Sequence, residues 1–185
     1  MMNAAAEPTA AVWLRGNVRP MLGLAAVAAA LGVLLVALVL ATGTMAAHGW
    51  LVAVYWLVAA LVVGALSLVA SRPRLEHTDG MLRVRLAPGR ADDVPLAAVE
   101  CFFLGSNTLG PDDAATHRVG TLVMRIAERA TEWQQRPTFA PWGTWAEGAV
   151  VFDGRWCEPL SADLARSLGR RLLDVKRAAA AEASA

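Results

Sequence analysis

The sequence is poor in the residues that mark catalytic or metal-binding sites. It has two cysteines, Cys101 and Cys157, which form no C-x-x-C pair and have no histidine at the spacing of a metal ligand. This pattern argues against a metal site and predicts two buried or half-buried free thiols, because free cysteine packs like a small hydrophobic residue. A disulfide is not expected if the domain lies in the cytoplasm.

The three histidines are equally isolated. His48 lies between two apolar runs, and neither His77 nor His117 belongs to an H-E-x-x-H motif. The chain also lacks a P-loop, a G-x-G-x-x-G fingerprint and a G-x-S-x-G elbow. We therefore predict a protein that is not an enzyme, with no catalytic residue, cofactor or metal.

Two pairs of adjacent acids, Asp92-Asp93 and Asp112-Asp113, stand beside turn residues. Neighbouring side chains on an extended strand point to opposite faces, so neither pair converges on a metal or a proton by itself. We interpret both pairs as parts of solvated turns.

An excess of one charge is also missing. All but Arg15 and Arg19 of the 17 Lys and Arg residues, and all but Glu7 of the 16 Asp and Glu residues, lie from Arg72 onward. This region is formally neutral, so it has no electrostatic footprint for nucleic acid and no basic cluster of the kind that binds anionic lipid. Lys176 is the only lysine, and alanine is abundant, a bias that indicates a GC-rich bacterial genome.

Two uncharged apolar runs, residues 21–41 and 50–70, are the most informative feature that is present. A helix needs about 20 apolar residues to cross a bilayer, so the runs predict a transmembrane hairpin over 21–70, preceded by a cytoplasmic N-terminal tail at 1–20. Neither run has an Asp, Glu, Lys, Arg or His residue, which disfavours transport by the hairpin. Small residues four apart, such as Ala28 and Gly32, predict close packing, either between the two spans or in a homo-oligomer.

Arginines flank this hairpin on one side only. Arg15 and Arg19 precede it, Arg72 and Arg74 follow it, and the connecting loop 42–49 has no Lys or Arg. By the positive-inside rule both termini are cytoplasmic, which predicts a multi-pass protein of the bacterial cytoplasmic (inner) membrane. A signal peptide is the alternative for the first run, although the apolar core of a signal peptide is usually ~7–15 residues.

Residues 75–178 predict a β-rich cytoplasmic domain. Residues 81–86 alternate apolar side chains with arginines, as in a half-buried strand. Further strands are predicted within 92–106, 119–127 and 148–152. Because these strands carry their own apolar faces, we expect the domain to fold without its anchor from about Arg74 onward.

The domain is predicted to end in an amphipathic helix over 161–178. Ser161 is a suitable N-cap. An apolar stripe follows at helical spacing and consists of Leu164, Leu168, Leu172 and Val175. The last residues, 178–185, are expected to fray.

A recognisable series of motifs opens the domain. A short strand leads into the hairpin turn Asp79-Gly80, a strand with Leu82-Arg83-Val84 follows, and 94–99 (VPLAAV) begins the next strand. This series resembles bacterial pleckstrin-homology-like domains, which are often preceded by two membrane helices and end in a helix. The resemblance implies a membrane α-hairpin plus an α+β domain, namely a small antiparallel β barrel or sandwich capped by a C-terminal amphipathic helix.

A segment rich in tryptophan and proline, residues 128–147, departs from that pattern. Its aromatic residues, Trp133, Phe139, Trp142 and Trp145, are our candidate interaction surface, because recognition residues often lie on loops of a rigid scaffold. The alternative is that these rings fold onto the domain and cover a small core.

Together these features predict a non-enzymatic membrane-anchored module that scaffolds or binds protein or lipid partners. One alternative is an accessory subunit of a membrane protein complex. Another is a membrane-bound enzyme with a pocket under the Trp-rich segment. The expected partners are the lipid bilayer and a membrane protein, with a homo-oligomer as an option and no nucleic acid.

Overall fold

The computed structural model describes residues 11–109, 117–134 and 138–183. They form two compact units, residues 17–72 and the described residues on both sides of that range in the sequence. We call the first unit the hairpin and the second unit the domain.

The hairpin consists of two apolar helices, α1 (Arg19–Ala41) and α2 (Met45–Ser71). By length and composition both could cross a membrane. The turn between them is shorter than the predicted loop 42–49, because α2 already begins at Met45. Gly43 has a φ of 65°, the left-handed conformation that commonly ends a helix.

The two helices approach each other closely at Gly32, the second of the two glycines in α1. A Cβ atom added to Gly32 would lie 2.5 Å from the Trp56 ring and 2.9 Å from the Tyr55 ring. The Tyr55 hydroxyl donates a hydrogen bond of 2.6 Å to the Ala28 carbonyl oxygen. Ala28 and Gly32 therefore serve the packing of α1 on α2, which is the first of the two roles predicted for these small residues.

The first sheet of the domain is antiparallel, in the order β1-β2-β3-β4. Its strands are β1 (Ala11–Leu14), β2 (Leu75–Thr78), β3 (Met81–Ala87) and β4 (Arg90–Pro95). The predicted turn joins β2 to β3, with Asp79 at a φ of 50° and Gly80 at 73°. The side chains of Leu82, Val84 and Leu86 are buried, as their alternation with arginines predicts.

Strand β1 differs from the predicted tail at 1–20. Its residue Leu14 pairs with Leu75, on the far side of the hairpin in the sequence. Trp13 and Leu14 are only 4% and 0% exposed, so β1 belongs to the core. The hairpin is thus an insertion between two neighbouring strands of one sheet, and the domain does not begin at residue 75.

The second sheet is also antiparallel, in the order β5-β6-β9-β8-β7. Its strands are β5 (Val99–Leu109), β6 (His117–Ile126), β7 (Thr138–Ala140), β8 (Gly143–Ala146) and β9 (Ala149–Asp153). A short 3-10 helix, Leu96–Ala98, joins the two sheets, and a four-residue helix, α3 (Thr131–Gln134), precedes β7. The predicted strands within 92–106, 119–127 and 148–152 are all present.

The C-terminal helix α4 (Ala162–Ala183) covers the core, as predicted, and continues beyond residue 178. The Ser161 hydroxyl accepts a hydrogen bond of 3.2 Å from the Leu164 amide, so Ser161 caps the helix. Leu168 and Leu172 are buried, and Val175 packs against the core from a half-buried position.

These elements confirm the predicted layout of two long apolar helices with an α+β domain that ends in a helix. The described strands form two sheets and no closed barrel. The core is filled by apolar residues from both sheets and from α4.

Candidate functional site

The Trp-rich segment is folded into the domain. Trp145 in β8 is 1% exposed, and its indole Nε1 donates a hydrogen bond of 2.8 Å to the Trp133 carbonyl oxygen. The rings of Trp133 and Trp145 stack with their centroids 5.9 Å apart. Trp133 is half-buried and packs against the core. The stacked rings of Trp133 and Trp145 therefore enlarge the apolar core of the domain.

Trp142 is buried by contacts with Arg74 and with strand β3. It is 4% exposed, and the guanidinium carbon of Arg74 lies 3.6 Å from its ring centroid. The Trp142 amide donates to the Leu86 carbonyl oxygen, which ties the turn before β8 to β3 of the other sheet. Trp142 therefore joins the two sheets and supplies an aromatic face to a buried cation.

The predicted interaction surface is accordingly wrong for Trp142 and Trp145, because buried rings cannot form an exposed platform. The alternative reading, that the rings cover a small core, describes these two residues. Trp133 retains part of its exposed area. Phe139 lies in β7, and its side chain is outside the described part of the structure.

Arg74 is the residue that sequence reasoning missed. It is 0% exposed, although arginine is almost never fully buried unless it is paired. Its Nε donates a hydrogen bond of 3.1 Å to the Trp156 carbonyl oxygen, and its side chain stacks on Trp142. In the sequence it looks like an ordinary arginine beside a membrane span, so no local signal reveals its burial.

We call the buried group Arg74, Trp142 and Cys157 the junction cluster. Burial raises the pKa of the Cys157 thiol to about 12, and the nearby charge of Arg74 offsets this only in part. Burial also lowers the pKa of Arg74 to about 10. At neutral pH the cysteine is therefore a protonated thiol and the arginine is charged, which is unsuited to nucleophilic chemistry.

Both chain segments that flank the hairpin meet at the junction cluster. Gly16 forms an isolated antiparallel bridge with Cys157, and the Arg15 amide donates a hydrogen bond of 2.8 Å to the Glu158 carboxylate. The Arg74 amide donates one of 2.8 Å to the Leu14 carbonyl oxygen. The cluster thus holds the residues that precede the hairpin in the sequence next to those that follow it.

The other cysteine, Cys101, is exposed on β5, so the prediction of a buried or half-buried thiol holds for Cys157 alone. The structure assigns both cysteines as free, without a disulfide.

The acids of the first sheet pair with arginines. Asp93 accepts a hydrogen bond of 2.8 Å from Arg83, and this contact lowers the pKa of the Asp93 carboxyl. Asp92 lies 3.7 Å from Arg90. Residues 112 and 113 are outside the described residues. Within the described ranges no three His, Cys, Asp or Glu side chains come together as a metal site would require.

A cavity of about 360 Å³ lies between α4 and the 3-10 helix. Apolar residues and two cations, Arg129 and Lys176, line it. The described lining contains no acid that could work with these cations as an acid–base pair, so the cavity has the character of a binding site.

No protein-family model, curated protein or solved structure matches this chain.

Proposed function

We propose that this chain is a non-enzymatic, membrane-anchored module of a bacterial cytoplasmic membrane. Its hairpin spans the bilayer with both termini in the cytoplasm, and its pleckstrin-homology-like domain binds a protein or lipid partner at the membrane surface.

The observation that carries the proposal is the pairing of β1 with β2. Leu14 and Leu75 are partners in one sheet, although α1 and α2 lie between them in the sequence. A chain that leaves a folded domain and returns to the adjacent strand of the same sheet must do both on the same side of a membrane. This requires an even number of crossings, and two apolar helices supply them. The arginines on both sides of the hairpin are an independent feature of the chain, and they agree with termini on the same side of the membrane.

The fold of the domain supports the pleckstrin-homology-like part of the proposal. A meander of β2, β3 and β4, a second antiparallel sheet and a terminal helix on the core follow the order that the resemblance implies. Strand β1 is an addition to that order. The one thiol of the junction cluster is buried and protonated, so it is not available as a nucleophile.

Cysteine labelling in intact cells tests the topology. In a Cys101→Ser background, we expect a membrane-impermeant maleimide to modify Met45→Cys from outside and to leave Ala180→Cys unmodified until the cells are lysed. Cys157 remains as an internal control, because it is buried. Modification of Ala180→Cys in intact cells would contradict the proposed orientation.

The exposed apolar residues of the domain support contact with a partner. Phe103 and Leu104 of β5 are 44% and 40% exposed, and β5 lies at the edge of its sheet. Exposed large apolar side chains at a sheet edge are a common feature of protein contacts. They replace the Trp-rich segment as the place where we expect a partner to bind.

An accessory subunit of a membrane complex is the second candidate. The outward leucines of the hairpin favour it because they could pack against other spans as readily as against lipid.

Photo-crosslinkers at Phe103 and at Leu34 of α1 distinguish the binding module from the accessory subunit. We expect a discrete protein adduct from Phe103 in native membranes. Adducts from Leu34 alone would favour the accessory subunit.

A further inference from the structure

The cavity between α4 and the 3-10 helix combines an apolar wall with positive charge. Leu96 and Ala97 from the 3-10 helix and Val175 from α4 give most of the apolar wall. Its volume of about 360 Å³ lies at the lower end of the range for pockets that bind small molecules. All of these residues belong to the domain.

Two cations face this cavity without a carboxylate partner in the described structure. Lys176 donates a hydrogen bond of 2.5 Å to the Val99 carbonyl oxygen, and Arg129 donates a longer one of 3.4 Å to that of Ala97. The neutral acceptors leave both charges uncompensated. An ammonium has three donors and a guanidinium has five, so most of their donors remain for a ligand.

A bulge at the start of β5 lies next to these carbonyl groups in the sequence. Val99 pairs with Ile126 and Cys101 with Arg125, so Glu100 is an extra residue that interrupts the ladder. The Ala98 carbonyl oxygen accepts from the Ala127 amide. This hydrogen bond ties the end of the 3-10 helix, next to the Ala97 and Val99 carbonyl groups, to the residue after β6.

The two acids of α4 whose side chains the structure describes pair with arginines of the same helix. Asp163 pairs with Arg166 at 2.7 Å, and Asp174 lies 4.0 Å from Arg177. Arg177 follows Lys176 directly but does not line the cavity.

We infer that this cavity binds a small amphipathic organic anion, with a carboxylate or phosphate ester head at Arg129 and Lys176 and an apolar body against Leu96 and Val175. A charged head gains hydrogen bonds from two cations that have no carboxylate partner. An apolar body covers the apolar wall of the cavity and so removes apolar surface from water. The inference concerns a free, soluble ligand. It goes beyond the proposed function and does not depend on which partner the domain binds.

Calorimetric titration of the full chain in nanodiscs of neutral phosphatidylcholine tests this inference, with empty nanodiscs as the blank. Hexanoate is the probe, hexanamide is its neutral counterpart, and acetate carries the charge without the apolar body. We expect saturable one-to-one binding of hexanoate, at least about tenfold weaker binding of hexanamide, and no measurable binding of acetate, because each lacks one of the two contributions.

Variants locate the site. We expect Arg129→Gln and Lys176→Gln each to weaken hexanoate binding about tenfold or more, which is the size expected for a lost charged hydrogen bond. Arg177→Gln is the matched control, because it removes the same charge from the next residue, and we expect less than a twofold change. Ala179→Phe places a ring in the wall, leaves both cations present and should block binding.

Four results would overturn the inference: absence of hexanoate binding, equal binding of hexanamide, an equal loss for Arg177→Gln, or binding retained in Ala179→Phe.

Nanodiscs that contain phosphatidylglycerol test whether the bound anion is a soluble molecule or a lipid. Unchanged hexanoate affinity there supports a soluble ligand, whereas competition by the lipid would overturn that part. Thermal unfolding of each variant identifies any that fails to fold, and methyl NMR shifts at Val175 in the unaltered chain then locate the ligand independently of all substitutions.

Discussion

The insertion of the hairpin between β1 and β2 predicts that the domain cannot be isolated by simple truncation. A fragment that starts at Pro73 retains most of the sheet residues but loses β1. A second fragment, in which a short Gly/Ser linker joins residues 1–16 to 73–185, keeps β1 and removes only the helices. We expect the linked fragment to fold and the truncated fragment to remain largely unfolded. This expectation reverses the prediction from the sequence that the domain folds from about Arg74 onward.

The magnitude follows from the two side chains that β1 buries. Trp13 is 4% exposed and Leu14 is 0% exposed. Loss of a buried tryptophan costs about 3–5 kcal/mol and loss of a buried leucine about 2–5 kcal/mol. The truncation also leaves the Arg74 amide without its acceptor on Leu14, which costs about 1–3 kcal/mol more if the amide stays buried. Together these losses rival the ~5–15 kcal/mol by which a typical domain is stable.

Urea unfolding followed by tryptophan fluorescence and far-UV circular dichroism measures the difference. The linked fragment should show one cooperative transition, and the truncated fragment should show none or a midpoint near zero urea. The linked fragment with Trp13→Ala and Leu14→Ala is the intermediate case, because it keeps the chain of β1 and removes its buried side chains. If the truncated fragment unfolds cooperatively within about 1 kcal/mol of the linked one, β1 is not part of the core and the reasoning is refuted.

Three further predictions concern single positions. Trp145→Ala in the linked fragment should cost about 3–5 kcal/mol in urea unfolding because it empties a buried site, and a loss below about 1 kcal/mol would mean that the ring is on the surface. At pH 8 a maleimide should modify Cys101 quickly and Cys157 only in denaturant, as mass spectrometry would show, because Cys157 is buried with its pKa raised to about 12. Gly32→Val should weaken the packing of α1 on α2, measured as slower disulfide formation between one cysteine introduced into each helix. Gly23→Val should not weaken it, since nothing lies within 4 Å of a Cβ atom there.

Much of the fold could be predicted because its signals are local. The apolar runs span whole helices, and α1 and α2 contain them. The turn at Asp79-Gly80 and the alternation in β3 specify the β-hairpin of β2 and β3 within a few residues. Ser161 marks the start of α4. Each of these features depends on periodicity or on the chemistry of one turn, which a sequence displays directly.

The features that could not be predicted depend on distant partners. Ala11–Leu14 is too short for its sequence pattern to predict a strand, and its partner β2 follows only after the hairpin. Trp142 has the local composition of an exposed loop, but Arg74 and Leu86 bury it from elsewhere in the chain. The anion cavity requires Arg129 and Lys176, which lie far apart in the sequence. Tertiary contacts decide all three cases, and no local pattern encodes them.

The position of the hairpin within the first sheet also has a consequence for biosynthesis. β1 leaves the ribosome before α1 and α2, and its partner strand leaves after them. The domain therefore cannot nucleate while the helices are being made, and β1 must wait for β2. Packing of α1 on α2 through Gly32 and Tyr55 turns most of the connection between β1 and β2 from a flexible chain into a folded unit. Fewer flexible residues then remain in the connection, and closing it costs less chain entropy. We therefore expect packing of α1 on α2 to precede and accelerate folding of the domain, so that a chain whose two helices fail to pack also fails to complete its first sheet.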